Sequence, residues 1–481
     1  ISNVPINFNH DGWGGGAHVA DLNHDGKAEI FFGLNLYNHE GVLLWQRPTE
    51  YSQPATTAAD VDGDGNLELI SDRSAWHHDG TMLWTRPDLG AYHFPSIADF
   101  DLDGTPEVAL VGNGKVIVLN GHDGTTFWGP VDLQTDGGGP LNIGDFDADG
   151  YPEMGTAGEG LYAVLDLQCT GTPLPAGCDR EGVRWGVPTK DISSNVTGSS
   201  IFDFEGDGVA EVIYSDECFT RVFGGRNGLV LFESPVNTRT ATEYPLVADV
   251  DGDNNAEIIV VANEVVPNCS TAPWNQGVLG TAWNEAPYPP PFCKDEVVCG
   301  YRGLTVYGDA LDNWVRTRRV WSGHAYHITN VNANGSIPMM ENPNWKQPGY
   351  NNFRMNAQGS GIFSAPDLQV ELVADAETCP AKLRLRAKVT NRGAIGVSAG
   401  VEVTFYHGTD IIGVVTTAKD VLPGGSTEVT LDYPVPTVEL DMPLDFTAIV
   451  DSNMANNECE GGGEDNNTAM ATGSCSATNP K

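Results

Sequence analysis

ADFDLDGTPE, residues 98–107, sets four carboxylates and a glycine into ten positions, and five near copies recur along the chain. They are ADLNHDGKAEI from Ala20, ADVDGDGNLEL from Ala59, GDFDADGYPEM from Gly144, FDFEGDGVAEV from Phe202 and ADVDGDNNAEI from Ala248. Counted from the first acid, every copy places an oxygen-bearing side chain at positions 1, 3, 5 and 9, and five of the six carry glycine at position 6. Alternate inward-turned oxygens, a backbone carbonyl at position 7 and a glycine for the sharp turn are the ligand logic of a calcium loop. Asn254 takes the glycine position in the sixth copy, where Asn also tolerates positive φ.

The flanks say what the loops connect. An EF-hand has its bidentate Glu at position 12 and helices on both sides. Here the last acid is at position 9, and β-prone runs follow it (EIFFG, ELIS, EVALVG, EVIYSD, EIIVVAN), while short extended stretches such as FPSIAD and EYPLVAD precede it. Each loop is therefore expected to join two strands. First acids at 21, 60, 99, 145, 203 and 249 are 39, 39, 46, 58 and 46 residues apart, a period suited to four-stranded propeller blades. A second marker follows the loops: HEGVLLW, HDGTMLW, HDGTTFW, REGVRW and RNGLVLF each read as a glycine hairpin turn and an apolar strand ending in an aromatic. An uncharged copy, HITNVNANGSIP at 327–338, keeps the frame with Asn330, Asn332 and Asn334 for the acids and Pro338 for the Glu. Counting it predicts seven units, enough to close a ring.

These D-x-D-x-D-G-x-x-E loops between strands resemble the FG-GAP or VCBS-type repeats of the integrin α-subunit propeller and its bacterial relatives, over roughly residues 1–356. The resemblance implies an all-β chain with a seven-bladed, calcium-binding β-propeller. Carried over position by position, it assigns as ligands Asp21, Asn23, Asp25 and Glu29; Asp60, Asp62, Asp64 and Glu68; and Asp99, Asp101, Asp103 and Glu107. It continues with Asp145, Asp147, Asp149 and Glu153; Asp203, Glu205, Asp207 and Glu211; and Asp249, Asp251, Asp253 and Glu257. The position-7 carbonyls belong to Lys27, Asn66, Thr105, Tyr151, Val209 and Asn255. Glu205 departs from the pattern, so weaker binding is expected in the fifth loop, and none or a non-divalent occupant in the seventh. Acids that were merely solvated turn residues would not hold four oxygen positions in register six times, and at this density they would repel one another. With three acids in the first loop and four in each of the others, the loops hold 23 of the chain's 65 acidic residues. About six structural calcium sites are expected, suited to extracellular metal at ~10⁻⁴ to 10⁻³ M.

The balance of 65 acidic against 25 basic residues, a formal charge of −40, argues against nucleic acid as a partner, because no basic patch exists to neutralise phosphates. No apolar run approaches the length of a membrane span. The opening on Ile1 rather than Met hints at a removed signal segment. Nine cysteines without CxxC or zinc-type spacing read as disulfides of a protein outside the cytosol. Cys169–Cys178 and Cys293–Cys299 are near enough in sequence to staple local loops, and Cys218–Cys269 is a longer-range pairing. Asn195, Asn268, Asn334 and Asn466 begin sequons that permit glycosylation.

After the small-residue linker AQGSGIFSAP, residues 357–366, segments such as AKLRLRAKVTNRG and STEVTLDYPV alternate in the half-buried β manner. They read as an immunoglobulin-like β-sandwich over 367–477. LRLRAKVTNRGAIGVSAGVEVTFY, LPGGSTEVTL and VDSNMANNECEGGGEDNNTA resemble the CARDB modules of bacterial surface proteins, which implies a surface location and suspected adhesion. Cys379–Cys475 is a plausible staple there, leaving Cys459 as the odd thiol.

Two insertions interrupt the repeat: TGTPLPAG between Cys169 and Cys178, and the longer run 268–300. Trp274, Trp283, Tyr288 and Phe292 in the latter either pack over the face of the repeat or stack on sugars or a protein partner. HExxH, GxSxG and Cys/His nucleophile contexts are absent. The best general-base candidates are His77, His78, His324 and His327, which read as structural, so no catalytic residue is assigned. The expectation is a secreted or surface-anchored, calcium-stabilised protein that adheres to a partner cell, glycan or matrix, or to copies of itself in a fibre or layer. The alternative is a calcium-dependent, lyase-like enzyme acting on polysaccharide, or a lectin-like module.

Overall fold

The computed structural model describes residues 16–47, 55–90, 94–238, 240, 243–252, 255–262, 269, 277–280, 303–310, 313–356, 368–391, 396–397, 399–421, 425–451 and 467–476. Within them the protein is all-β, built of small antiparallel sheets. The first sheet comprises His18–Ala20, Glu29–Phe32, Asn35–Tyr37 and Leu43–Gln46, and the second Thr56–Ala59, Glu68–Ser71, Ser74–Trp76 and Met82–Thr85. The third comprises Phe94–Ala98, Glu107–Gly112, Lys115–Asn120 and Thr126–Asp132, and the fourth Asn142–Gly144, Glu153–Gly158, Leu161–Leu165 and Val183–Pro188. The fifth runs through Ser199–Phe202, Glu211–Ser215, Phe219–Phe223 and Val230–Pro235, and the sixth has three strands, Leu246–Ala248, Glu257–Ala262 and Gly303–Tyr307.

The early strands of the third sheet, FPSIA and EVALVG, are buried at every residue, whereas its last strand is largely open. Near-continuous apolar runs follow from such two-sided burial. The hairpin before each fourth strand turns on a glycine with positive φ: Gly41, Gly80, Gly124, Gly182 and Gly228. At four of them the reason is a neighbour as well as a turn; at Gly182 it is Val131 of the preceding sheet's last strand, 2.6 Å from an added Cβ. A Cβ on Gly80, Gly124 or Gly228 would lie 2.9, 2.7 or 2.6 Å from the indole of Trp45, Trp84 or Trp185, the aromatic of the preceding sheet's fourth strand. Those indoles donate Nε1–H to the carbonyls of His78, Gly121 and Gly225 at 2.8, 2.7 and 2.6 Å. The aromatic that ends one repeat is thus locked onto the hairpin of the next.

The seventh unit does not repeat this plan. Among the described residues of 308–356 there is no strand; residues 327–338 form the 3-10 turn Ile328–Asn330 and a tight turn closed by Gly335 N–H to Asn332 O at 2.8 Å. Pro338 stands where the other copies begin a paired strand with Glu, and proline has no N–H for a ladder. This part of the chain laces the sheets together instead. Val315 N–H donates to Phe204 O at 2.9 Å, and Asp249 N–H to Arg318 O at 3.2 Å. His324 faces His18 of the first sheet with ring centroids 6.3 Å apart. Further on, Asn351 Nδ2 donates to Asp99 O at 2.7 Å, Ile143 N–H to Phe353 O at 3.0 Å, Ile201 N–H to Arg354 O at 3.2 Å and Asn356 Nδ2 to Val247 O at 2.9 Å. Residues 351–356 therefore touch the innermost strands of the third to sixth sheets in order, or the residue just beyond them. Arg354, fully buried, donates to the carbonyls of His324, Pro140 and Ser199 and sits 3.9 Å from the Tyr244 ring.

Toward the C-terminus, Leu368–Asp375, Lys382–Asn391 and Ser426–Pro434 form one sheet, and Asp410–Thr416, Glu402–His407, Leu444–Val450 and Thr468–Gly473 another. Alternate residues of KLRLRAKVTN point inward, so Leu383, Leu385, Ala387 and Val389 share one core with Phe405, Phe446, Ala448 and Val450 of the facing sheet. Disulfides join Cys169 to Cys178, Cys218 to Cys269 and Cys379 to Cys475. Cys293, Cys299 and Cys459 lie outside the described residues, as do the linker 357–366 and the sequons at Asn268 and Asn466.

Candidate metal centre

All six acidic loops sit between the first and second strands of a sheet: position 1 follows the last residue of one strand, and the position-9 Glu opens the next. One frame recurs. The position-9 Oε2 accepts the backbone N–H of position 2, with Leu22, Val61, Phe100, Phe146, Phe204 and Val250 donating to Glu29, Glu68, Glu107, Glu153, Glu211 and Glu257 at 3.1, 3.1, 2.8, 2.7, 3.3 and 2.9 Å. The position-1 Asp accepts the position-6 N–H of Gly26, Gly65, Gly104, Gly150 and Gly208 at 2.7–3.2 Å. The position-5 Asp accepts the N–H of Lys27, Asn66, Thr105, Tyr151 and Val209 at position 7, at 2.7–2.9 Å. Position 4 is left-handed in every copy: Gly63, Gly206 and Gly252 adopt it freely, whereas His24, Leu102 and Ala148 hold φ of 55°, 61° and 62°.

This frame gathers carboxylates. Oxygens of Asp99, Asp101 and Glu107 come within 4.8 Å of one another, as do those of Asp145, Asp147 and Glu153, of Asp203, Glu205 and Glu211, and of Asp62, Asp64 and Glu68 together with a His77 nitrogen. Burial, and then the neighbouring acids, push Glu68 up to about 8, Glu107 to about 7 and Glu153 to about 9, and Asp203 to about 6. Glu211 and Glu205 are raised too, by burial first and in Glu211 by the adjacent Glu205 next. A carboxylate nest that is desolvated and self-repelling is relieved by a cation. An all-oxygen donor set of this kind suits a hard divalent ion such as calcium or magnesium.

Three basic side chains modify the nests, and none was signalled by the local motif. Arg184 Nη1 lies 2.5 Å from Asp147 Oδ2 and 3.0 Å from Asp166 Oδ2. Arg319 donates through Nε to Asp249 Oδ2 and through Nη2 to Gly252 O, both at 2.9 Å. His77 Nδ1 is 3.2 Å from Glu68 Oε1 and 3.8 Å from Asp62 Oδ2. The fourth and sixth loops are therefore partly neutralised from within the protein. Asp253 and Asn254 lie outside the described residues, as do Trp274, Trp283, Tyr288 and Phe292.

Among the described residues, the histidine candidates His324 and His327 are held by structural contacts. His324 is held neutral by burial and by Arg354, whose Nη2 is 2.7 Å from its Nδ1. His327 is buried against the Glu341 carboxylate, and His78 Nδ1 is buried without a partner.

No protein-family model matches the chain, and no curated protein does. Among solved structures it is similar to the V. cholerae biofilm matrix protein Bap1, at 20% identity over 71% of this chain and 76% of that one, with a TM-score of 0.50. This is a likeness of fold. It is also similar to a CARDB domain from Pyrococcus furiosus solved with di-metal ions, at 24% identity over 24% of this chain and 96% of that one, TM-score 0.20. A third, the rhamnogalacturonan lyase YesW, shares 17% identity over 52% of this chain and 47% of that one, TM-score 0.29. At these TM-scores the last two carry no argument.

Proposed function

We propose that this protein is an extracellular, calcium-stabilised adhesion or structural protein of the cell surface or matrix. The reading takes residues 1–356 as a propeller whose six sheets are closed by the lacing segment in place of a seventh regular blade, 357–366 as a linker, and 367–477 as an immunoglobulin-like, CARDB-type module. The observation that carries it is the sixfold loop frame, in which backbone N–H groups hold buried carboxylates close together. Such loops suit millimolar extracellular calcium. Three disulfides fit an oxidising compartment. The likeness to a biofilm matrix protein supports a matrix role. No helix among the described residues is long and apolar enough to cross a membrane. Adhesion acts on a partner cell, a glycan or further copies of the chain, the last by head-to-tail contact that propagates if it does not close.

Electron microscopy and a cell- or matrix-binding assay on purified protein, with millimolar calcium and with chelator, test this reading. Calcium-dependent binding or ordered assembly is expected. Dispersed particles that bind neither cells nor matrix in calcium would overturn it.

A further inference from the structure

A cleft of about 670 Å³ opens where the third, fourth and fifth metal loops meet the lacing segment 345–356. Two exposed side chains from the loops line it. Leu102, at position 4 of the third loop, is 48% exposed and left-handed, with φ 61°. That backbone is strained for an L-residue, and three other copies avoid the strain with glycine. Tyr151, at position 7 of the fourth loop, is 41% exposed. Neither residue gains burial in return. Strain and exposed apolar surface persist where a site uses them.

The lacing segment supplies polar groups. Gln347 and Tyr350 line the cleft half-buried, with the exposed Lys346. Two further lining residues, Trp345 and Asn352, only 9% and 4% exposed, have a buried polar atom without a hydrogen-bond partner, Nε1 and Oδ1 respectively. Apart from Lys346, the charged groups lining the cleft are Asp145 and Asp203, which belong to the metal nests.

We propose that this cleft binds a short neutral oligosaccharide between Tyr151 and Leu102 on the loops and Gln347 and Tyr350 on the lacing segment. Planar amides pair with neighbouring hydroxyls, and aromatic or aliphatic faces cover the C–H faces of a pyranose. The volume lies within the range of small-molecule sites and holds about two or three sugar rings. The scarcity of available charge selects against anionic glycans, as does the chain's formal charge of −40. On the calcium-loaded reading the carbonyl of Tyr151 would be the position-7 ligand of its loop, so a cation held there would fix the residue that carries the ring and binding should depend on metal. The inference rests on the adhesive, metal-loaded reading above and names the ligand class of one face.

The test is calorimetric titration of the full chain in calcium with cellotriose, maltotriose, mannotriose and chitotriose, with trigalacturonic acid as the charged control. At least one neutral trisaccharide is expected to bind. Tyr151→Ala and Leu102→Gly should each weaken it by about tenfold or more, and chelation should abolish it. Leu102→Gly removes backbone strain, so a correctly folded variant with lost binding separates recognition from stability. No binding by any neutral trisaccharide, binding of the acidic one alone, or binding indifferent to both substitutions would overturn the proposal. Persistence of calcium-dependent cell or matrix attachment in that case would leave the adhesive reading standing.

Discussion

Gly124→Ala should loosen the joint between the second and third sheets far more than a hairpin substitution ordinarily does. Gly124 has φ 70°, and an added Cβ would sit 2.7 Å from Cδ2 and 2.9 Å from Cε3 of Trp84. Left-handed backbone costs alanine about 1–2 kcal/mol. Displacing a packed indole adds about 1–3 kcal/mol. The shift also endangers the 2.7 Å bond from Trp84 Nε1 to Gly121 O, typically about 1 kcal/mol. The sum is about 3–6 kcal/mol. Gly41→Ala supplies the control, since Gly41 has the same kind of backbone, φ 77°, with nothing within 4 Å of its added Cβ. Its cost should be the backbone share alone, about 1–2 kcal/mol. Urea unfolding in calcium, followed by tryptophan fluorescence, reads both variants. A difference between them below about 0.5 kcal/mol, the scatter of inert surface changes, would refute the inter-sheet lock.

Three further outcomes follow from the same structure. His18 is pushed from 6.5 down to about 4, by burial first and then by His327 and Arg354; its folded form resists protonation, so the stability it contributes is present above pH 6.5 and lost as pH falls toward 4. That window is worth up to about 3 kcal/mol, and His18→Gln should flatten the acid side of a stability-versus-pH curve measured in calcium. Replacing Cys379 and Cys475 with serine opens a closure spanning 96 residues and should destabilise the C-terminal sheets by about 2–5 kcal/mol, read by urea denaturation of the intact chain. Arg319→Gln removes the guanidinium's contacts with Asp249 Oδ2 and Gly252 O and should raise the calcium affinity of the sixth loop in equilibrium dialysis; an unchanged binding curve would show that Arg319 is not competing there.

Legibility in the sequence followed the range of each interaction. The loops were readable because their frame is local: Glu107 reaches the Phe100 amide seven residues back, and Asp99 the Gly104 amide five residues on. Strand ends were readable for the same reason, with Ala98 closing one strand and Glu107 opening the next. The alternation of KLRLRAKVTN announced a half-buried strand, and its burial alternates accordingly. The glycine–aromatic marker was visible as a repeat, but its physical meaning was not, because Trp84 meets Gly121 across 37 residues. Arg319 reaches Asp249 from 70 residues away and carries no motif. The frame of HITNVNANGSIP suggested a seventh strand pair, yet Pro338 denies the ladder its donor, and that stretch became part of a lacing segment whose partners are scattered over five sheets.

The proposed function requires that cations in the six loops pin each strand-to-strand turn and so stabilise the fold. Thermal melting of the purified protein, first in millimolar calcium, then in excess chelator, then with calcium restored, tests it most directly. The account predicts a large fall in melting temperature on chelation and full recovery on calcium return. A melting curve indifferent to chelator, from protein verified to be metal-free, would contradict it.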